Sequence, residues 1–395
     1  MKPAGMEIRQ RARPPVRRRV VLAAALLLLA LTLGGCWDAQ EIEKRTFPYS
    51  LWVDLTPAGW YRITALAPIP RMMGATGTTG PPGGPQGPKH AVFSSTAPTY
   101  AEAMNDLGEQ TDRELDLSHL QVFVLGEELA RRVGVAEVVE ACFRDLRISN
   151  NAIVLVSRGP AALLTGLSPA PELFATDYIV TFFRRGKVDL QRSVQVELWQ
   201  AYVNLNTPGR ALFLPRLGRG PDNRLDISGL GVFRGPHLAG WLEAEDAQAF
   251  LWITRKTQTD YLPAEVPGHP GEKAILSTSK LQVRRRISRR GERYAISLQV
   301  DVRGNLQSSP AHFTGDQGEL LRGLQQNASE ELKRILEHGI RTVQHRYGFD
   351  AFGLGEEVRR RYPAVWTLDN WEEQFSTMDI TVEVRTQIEQ RGTIY

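Results

Sequence analysis

The sequence predicts a mixed α/β and α+β protein of two to three domains, the last a largely antiparallel sheet packed by a long helix. Three observations lead to that class. Two short apolar runs, Leu120–Leu125 and Ala152–Val156, flank an amphipathic stretch; strand, helix, strand over about 35 residues is the size of a crossover unit joining parallel strands. From about residue 225 the pattern changes to short strands, and Tyr294, Ile296, Leu298, Val300 and Val302 fall on one face at period two. Beyond them Leu320, Leu324, Leu332, Ile335, Leu336, Ile340, Val343 and Tyr347 recur at spacings of three and four, with Ala328 filling the gap, so a long amphipathic helix is expected over about 317–347.

The chain opens on a leader. Residues 1–35 carry seven Lys/Arg and one acid, a net charge of +6, so the whole-chain charge of +4 leaves residues 36–395 at −2. The basic balance belongs to the leader, and nucleic acid is not implied. The apolar run Val20–Leu33 is fourteen residues long, short of the about 20 that a spanning helix needs. Arg17, Arg18 and Arg19 precede it, as in a secretion signal. Leu33-Gly34-Gly35-Cys36 then resembles a bacterial lipobox, where a signal peptidase cuts before a cysteine modified by diacylglycerol. The thioether needs a thiol, and the peptidase needs small residues before it; Gly34 stands where Ala or Ser is commoner and meets that need. Cleavage there gives a mature chain beginning at Cys36, held by a diacylglyceryl thioether and an N-acyl chain, with no transmembrane segment. An ordinary secretion signal followed by a chance cysteine is the alternative.

The mature chain is expected to divide into an N-terminal α/β domain over 36–215 and a C-terminal α+β region over 216–395, the latter open to a further division near 270 into a small middle domain and a final domain. In order, "FPYSLWVDL" and "WYRITALAPI" read as two strands about a turn at Thr56–Gly59. Residues 74–88 hold six Gly and four Pro in fifteen positions and read as a surface loop, since Gly84 breaks the period of three that a collagen strand needs. Residues 96–115 open a helix at a Ser/Thr-type cap. Residues 126–146 form one or two amphipathic helices, and 170–205 are mostly helical. Strands follow at Leu225–Val232 and His237–Leu242, then a helix at Glu243–Leu251 and two strands about a turn at Ser288–Gly291. A last strand sets Ile380, Val382, Val384 and Ile388 on one face and Thr381, Glu383, Arg385 and Gln387 on the other.

Motifs for catalysis are missing. The seven histidines are scattered, and none sits in a zinc-binding spacing. "GLGVFRG" (Gly229, Gly231, Gly235) is one residue too long for a dinucleotide fingerprint and reads as turn glycines. There is no nucleophile elbow and no phosphate loop. Cys142, in "VVEACFRDL", reads as a buried structural thiol on a helix face. Arg284, Arg285, Arg286, Arg289 and Arg290 surround one hairpin; a solvated hairpin end and a contact with anionic lipid are both open. Trp241, Trp252, Trp366 and Trp371 read as core, with a docking surface as the alternative. No enzyme activity, no cofactor and no metal are predicted.

Four blocks of sequence carry a family resemblance. "CWDAQEIEKRTF" at the mature start, "LDLSHLQVFVLGEELAR" with "RDLRISNNAIVLVSRG", "LDISGLGVFRGPHLAGWLEAEDAQAFLWITRK", and "YGFDAFGLGEEVRRRYPAVWTLDNWEEQFSTMDITVEV" resemble, in this order, the Ger(x)C family of lipoprotein C subunits of spore germinant receptors. The resemblance implies a membrane-anchored subunit, held by the Cys36 lipid on the outer face of the cytoplasmic (inner spore) membrane. It implies two multi-spanning subunits as partners, a part in nutrient-triggered spore germination through assembly and signal coupling, and no catalytic residues. A solute-binding lipoprotein of a transporter is the alternative, and it would need two α/β lobes around a cleft.

Overall fold

Unbroken apolar runs mark strands buried on both faces, and the first half of this chain is built on them. The computed structural model describes residues 44–69, 90–167, 172, 174–184, 193–254, 261–308 and 317–391, with 17, 20, 21 and 23–25 of the leader, which are helical. The glycine- and proline-rich loop at 74–88 and the tetrad Leu33–Cys36 lie outside the described residues. Residues 46–395 form one compact unit.

The first sheet has eight strands: β1 (Ser50–Leu55), β2 (Tyr61–Pro68), β3 (His90–Ala97), β4 (Val122–Leu125), β5 (Ile153–Ser157), β6 (Phe213–Arg219), β7 (Leu225–Arg234) and β8 (His237–Leu242). Their order is β8-β7-β6-β5-β4-β1-β2-β3. β1, β4, β5 and β6 run parallel, and the flanking pairs are antiparallel. Alternate residues of the parallel strands feed two cores. Leu51, Val53, Phe123, Leu125, Val154 and Val156 face α1 (Tyr100–Glu109), α2 (Glu127–Arg132) and α3 (Ala136–Arg144). Trp52, Val122, Val124, Ile153 and Leu155 face α4 (Ala175–Arg184) and a short 3-10 turn at Ala161–Leu164. A further helix, α5 (Leu198–Asn206), covers the first of these faces.

α6 (Ala244–Thr254) leads to the second sheet, which has four strands: β9 (Tyr261–Val266), β10 (His269–Arg290), β11 (Arg293–Ser308) and β12 (Asp379–Arg391), in that order. The first two pairings are antiparallel and the last is parallel. α7 (Gln317–Thr342) lies along this sheet with Leu324, Ala328, Leu332, Ile335, Leu336 and Ile340 buried. Its last turn, Val343–Tyr347, is a π-helix. Between that turn and β12 come α8 (Leu354–Arg361) and α9 (Leu368–Thr377). Strand edges leave backbone donors unpaired; here α7 takes two of them from β12, Thr386 N–H donating to Ser329 Oγ and Ile388 N–H to Gln325 Oε1, each at 3.0 Å.

The fold class is as expected. The first hairpin, the crossover unit, the long helix and the five-residue stripe on β11 stand where the sequence put them. Thr99 caps α1, its hydroxyl accepting from Glu102 N–H at 3.2 Å. The glycines of 229–235 need correcting: Gly229 and Gly231 are not turn residues but lie inside β7. Gly229 has φ +82°, and a Cβ there would stand 2.6 Å from the Leu242 carbonyl oxygen; one on Gly231 would meet Val156 at 2.7 Å. The turn at 288–291 is tighter than expected, since β10 runs to Arg290 and β11 resumes at Arg293.

Candidate functional site

Among the described residues the most extensive set of long-range contacts is the joint between the sheets, which is the site of interest. It is built around α6. A helix that is apolar on all sides belongs between layers, and Ala247, Ala249, Phe250, Leu251, Trp252 and Ile253 are all buried. Phe250 meets Phe213 of β6 edge-on at 5.1 Å and stacks on Phe352 at 5.4 Å, so one ring touches both halves of the chain. The core that begins at Leu51 continues without a break to Val382.

Polar contacts fasten the joint around this apolar centre. The Tyr347 ring lies against Gly240 so closely that a Cβ there would stand 2.6 Å from it. Its hydroxyl donates to the Trp241 carbonyl at 2.9 Å, and the Trp241 indole donates to Glu127 Oε1 at 3.3 Å. Glu127 also accepts from Gly159 N–H at 2.9 Å and pairs with Arg131. Burial works to raise the Glu127 carboxyl, but the donors from Gly159, Arg131 and Trp241 hold it below the ordinary value. A continuous set of contacts therefore runs from the end of α7 to the loop after β5.

On the far side of α6, Arg285 pairs with Glu357 at 2.5 Å and donates to the Ile253 carbonyl at 2.6 Å, closing the helix's C-terminus. Arg210, just before β6, forks onto Glu356 at 2.7 and 3.2 Å. Arg234 at the end of β7 pairs with Glu372 of α9 at 2.5 Å. Beneath them Asp350 is buried, its Oδ2 accepting from Gly355 N–H at 2.6 Å and from the Trp371 indole at 3.0 Å. Burial outweighs these donors and pushes its carboxyl up to about 6.

The first sheet has a second polar closure. Open α/β sheets take ligands beyond the carboxyl ends of their parallel strands. Here Asp54, at the end of β1, accepts from the N–H groups of Ala161 and Ala162 at 2.7 and 2.8 Å, and Glu127 holds Gly159. Asp54 and Glu127 thus tie the loop after β5 across these strand ends. At the opposite strand ends a cleft of about 410 Å³ is lined by His119, Gln121, Asn151, Arg184, Gln195 and Glu197 among others. Among the described residues no three His, Cys, Asp or Glu side chains come together as a metal site.

The residues singled out in the sequence fall as follows. Cys36 and its recognition residues Leu33, Gly34 and Gly35 lie outside the described residues. Cys142 is buried with its Sγ 3.2 Å from the Tyr100 hydroxyl, and burial pushes the thiol up to about 12. Trp241, Trp252 and Trp371 are buried, and Trp366 packs against the same core. Arg285 is part of the joint, whereas Arg284 pairs across the open face of the sheet with Asp301 at 3.4 Å. Arg286 and Arg289 are exposed. The blocks quoted for the family resemblance converge: Glu127, Gly240, Trp241, Trp252, Asp350 and Trp371 come from three of them and meet at or beside α6. Sequence reading had no signal for Tyr347, Arg210 or Arg234 as joint residues, because their partners are over 100 positions away.

A profile described as "Spore germination protein N-terminal domain" matches residues 38–219, and one described as "Spore germination B3/ GerAC like, C-terminal" matches 228–392. The chain belongs to the Ger(x)C family of spore germination proteins. Spore germination protein B3 of Bacillus subtilis (strain 168) is 23% identical over 381 residues, covering 94% of this chain and 98% of that protein. Spore germination protein KC of the same organism is 22% identical over 396 residues, covering 95% and 96%. The crystal structure of the GerBC protein has the same fold, with a TM-score of 0.57 at 18% identity over 89% of this chain and 100% of that one. The first profile ends with β6 and the second begins inside β7, adjacent strands of one sheet, so the C-terminal segment supplies most of β7 and all of β8 to the first sheet as well as α6 and all of the second.

Proposed function

We propose that this protein is the lipid-anchored, non-enzymatic C subunit of a nutrient germinant receptor, working by assembly and signal coupling with two multi-spanning membrane subunits. The observation that carries the reading is likeness to spore germination proteins through both sheets and the joint. The lipobox-like Leu33-Gly34-Gly35-Cys36 supports the anchor, ending ten residues before the folded body at Thr46. Among the described residues no helix is long and apolar enough to cross a membrane, and a diacylglyceryl group with an N-acyl chain supplies the multiple chains that stable anchoring takes. Anchoring on the outer face of the cytoplasmic (inner spore) membrane confines the subunit to the plane of its partners and raises their effective concentration. The joint then gives a stiff body through which a displacement at one sheet reaches the other. The second sheet, mostly antiparallel and packed by α7, is not a second α/β lobe, which favours this reading over a solute-binding lipoprotein.

Cys36→Ala in the full chain tests the anchor. The expected result is an uncleaved precursor without acyl label, loss from the detergent phase and impaired nutrient germination. Normal acyl labelling of that variant would remove the anchor from the account.

A further inference from the structure

We propose that the arginine-rich end of the β10–β11 hairpin is a second membrane contact, docking on anionic lipid headgroups and fixing which end of the body faces the bilayer. The choice of lipid as occupant rests on the anchor at Cys36; the charge on the hairpin does not.

The charge is concentrated. Residues 284–293 hold six arginines and one acid, Glu292, a net of +5 in a mature chain whose total is −2. Arg285 is committed to Glu357 and Arg284 to Asp301. Arg286, Arg289 and Arg293 are exposed and stand outside every ion pair among the described residues. α8 adds to the charge on the face that carries Arg289, opposite the face of Arg286. Arg289 lies opposite Tyr294, the Tyr294 ring is 5.8 Å from that of Tyr362, and the Arg361 guanidinium lies 5.8 Å over Tyr362, with Arg360 exposed beside it. Five arginines thus gather around one hairpin end, with Glu356 acting on Arg360 and Glu292 in the turn as the counter-charges there.

The patch is at the end of the folded body where the chain enters it at Thr46. β1, β4, β5 and β6 all start at that end, because Ser50, Val122 and Ile153 are in register and β6 runs parallel to β5. Arg210, before β6, and Arg234, which follows the Phe213 partner Val232 on β7, are there too. They hold Glu356 and Glu372, and these flank the hairpin: Arg285 pairs with Glu357, and Tyr294 N–H donates to Gln374 of α9 at 3.3 Å. The ten residues from Cys36 to Thr46 span at most about 35 Å, so an anchored chain keeps this end near the headgroups. The same end presents Leu146, 99% exposed, and Trp199, 42% exposed, beside Asn150; Trp is a residue type enriched at headgroup level. An anionic surface attracts such a patch over about one Debye length.

Residues 46–395 close on their own core, so that fragment is sedimented with neutral phosphatidylcholine vesicles and with vesicles containing phosphatidylglycerol. Binding is expected only to the anionic vesicles and is expected to fall as salt is raised. Arg286→Gln with Arg289→Gln and Arg360→Gln should weaken it roughly tenfold or more, given about fivefold per charge near the surface. Arg219→Gln with Arg303→Gln and Arg322→Gln removes the same charge elsewhere and should leave most of the binding. Equal binding to neutral vesicles, or equal loss in both triple variants, overturns the proposal. So does a photoreactive residue at position 289 that captures protein rather than lipid in the assembled complex. The fragment lacks Cys36, so failure here leaves the acylation test standing, and failure there leaves this binding standing.

Discussion

The two sheets of this protein solve burial in opposite ways. The first is covered on both faces, and its central strands carry apolar side chains in both directions: Trp52 packs on one side while Leu51 and Val53 pack on the other. The second is covered on one face by α7 and shows solvent a ladder of charge, with Arg284 beside Asp301 and Arg303 beside Glu389. A sheet saturated on both faces serves as a frame, whereas a sheet with one open face can meet a partner or a surface. The joint exists because the face of the first sheet that carries α1–α3 and α5 is completed by α6, which the second sheet also needs.

Breaking that shared element should have the largest effect. Phe250→Ala removes a fully buried ring that touches both halves and should cost about 3–5 kcal/mol. Because the core is continuous, urea unfolding followed by tryptophan fluorescence and by far-ultraviolet dichroism should shift together; a shift in one probe alone would mean that the sheets unfold separately.

A smaller effect comes from Asp350 and depends on pH. Its carboxyl is raised from 3.8 to about 6 in the folded protein, so the folded state binds this proton more tightly than the unfolded chain. Ionised Asp350 therefore costs stability above pH 6, on the order of 3 kcal/mol, and the cost disappears as pH falls through 6 towards 4. Asp350→Asn keeps an acceptor for Gly355 N–H and the Trp371 indole without the charge. It should gain stability over the parent at pH 8, with the difference shrinking to near zero by pH 4. Denaturant midpoints at the two pH values check this, and a difference that grows in acid would contradict it.

Neighbouring arginines on the two faces of β10 sharpen the comparison further. Arg285 has an 18% exposed side chain and closes α6, while Arg284 is 61% exposed on the open face. Arg285→Ala should cost about 2–3 kcal/mol, since it strands Glu357 and the Ile253 carbonyl. Arg284→Ala should cost under about 1 kcal/mol. Equal losses in thermal unfolding would mean that the two faces are not as different as their burial.

Much of this architecture was legible in periodicity. The stripe on β11 and the stripe on α7 are facing sides of one core, and each announced itself alone. Three strands did not. β3 reads "HAVFSSTA", β6 "FLPRLGR" and β9 "YLPAEV"; the first bunches its large apolar side chains at Val92 and Phe93 without alternation, and prolines interrupt the other two. β3 and β9 are edge strands, where such residues are tolerated, and β6 meets its proline with an irregularity in register at Pro215–Leu217. That Leu225–Leu242 completes the first sheet was also hidden, because strand order is a long-range property that no local pattern encodes. The joint was half legible. Its tryptophans could be read as core, but the pairing of Trp241 with Glu127, 114 positions apart, had no trace in spacing.

The central claim is that α6 makes the two sheets one body. Native-state hydrogen exchange of residues 46–395 tests it most directly. The amides of Ala247–Ile253 are expected to exchange only through global unfolding, with protection equal to that of β4 and β5. Exchange in α6 well ahead of both sheets, while their own amides stay protected, would contradict it.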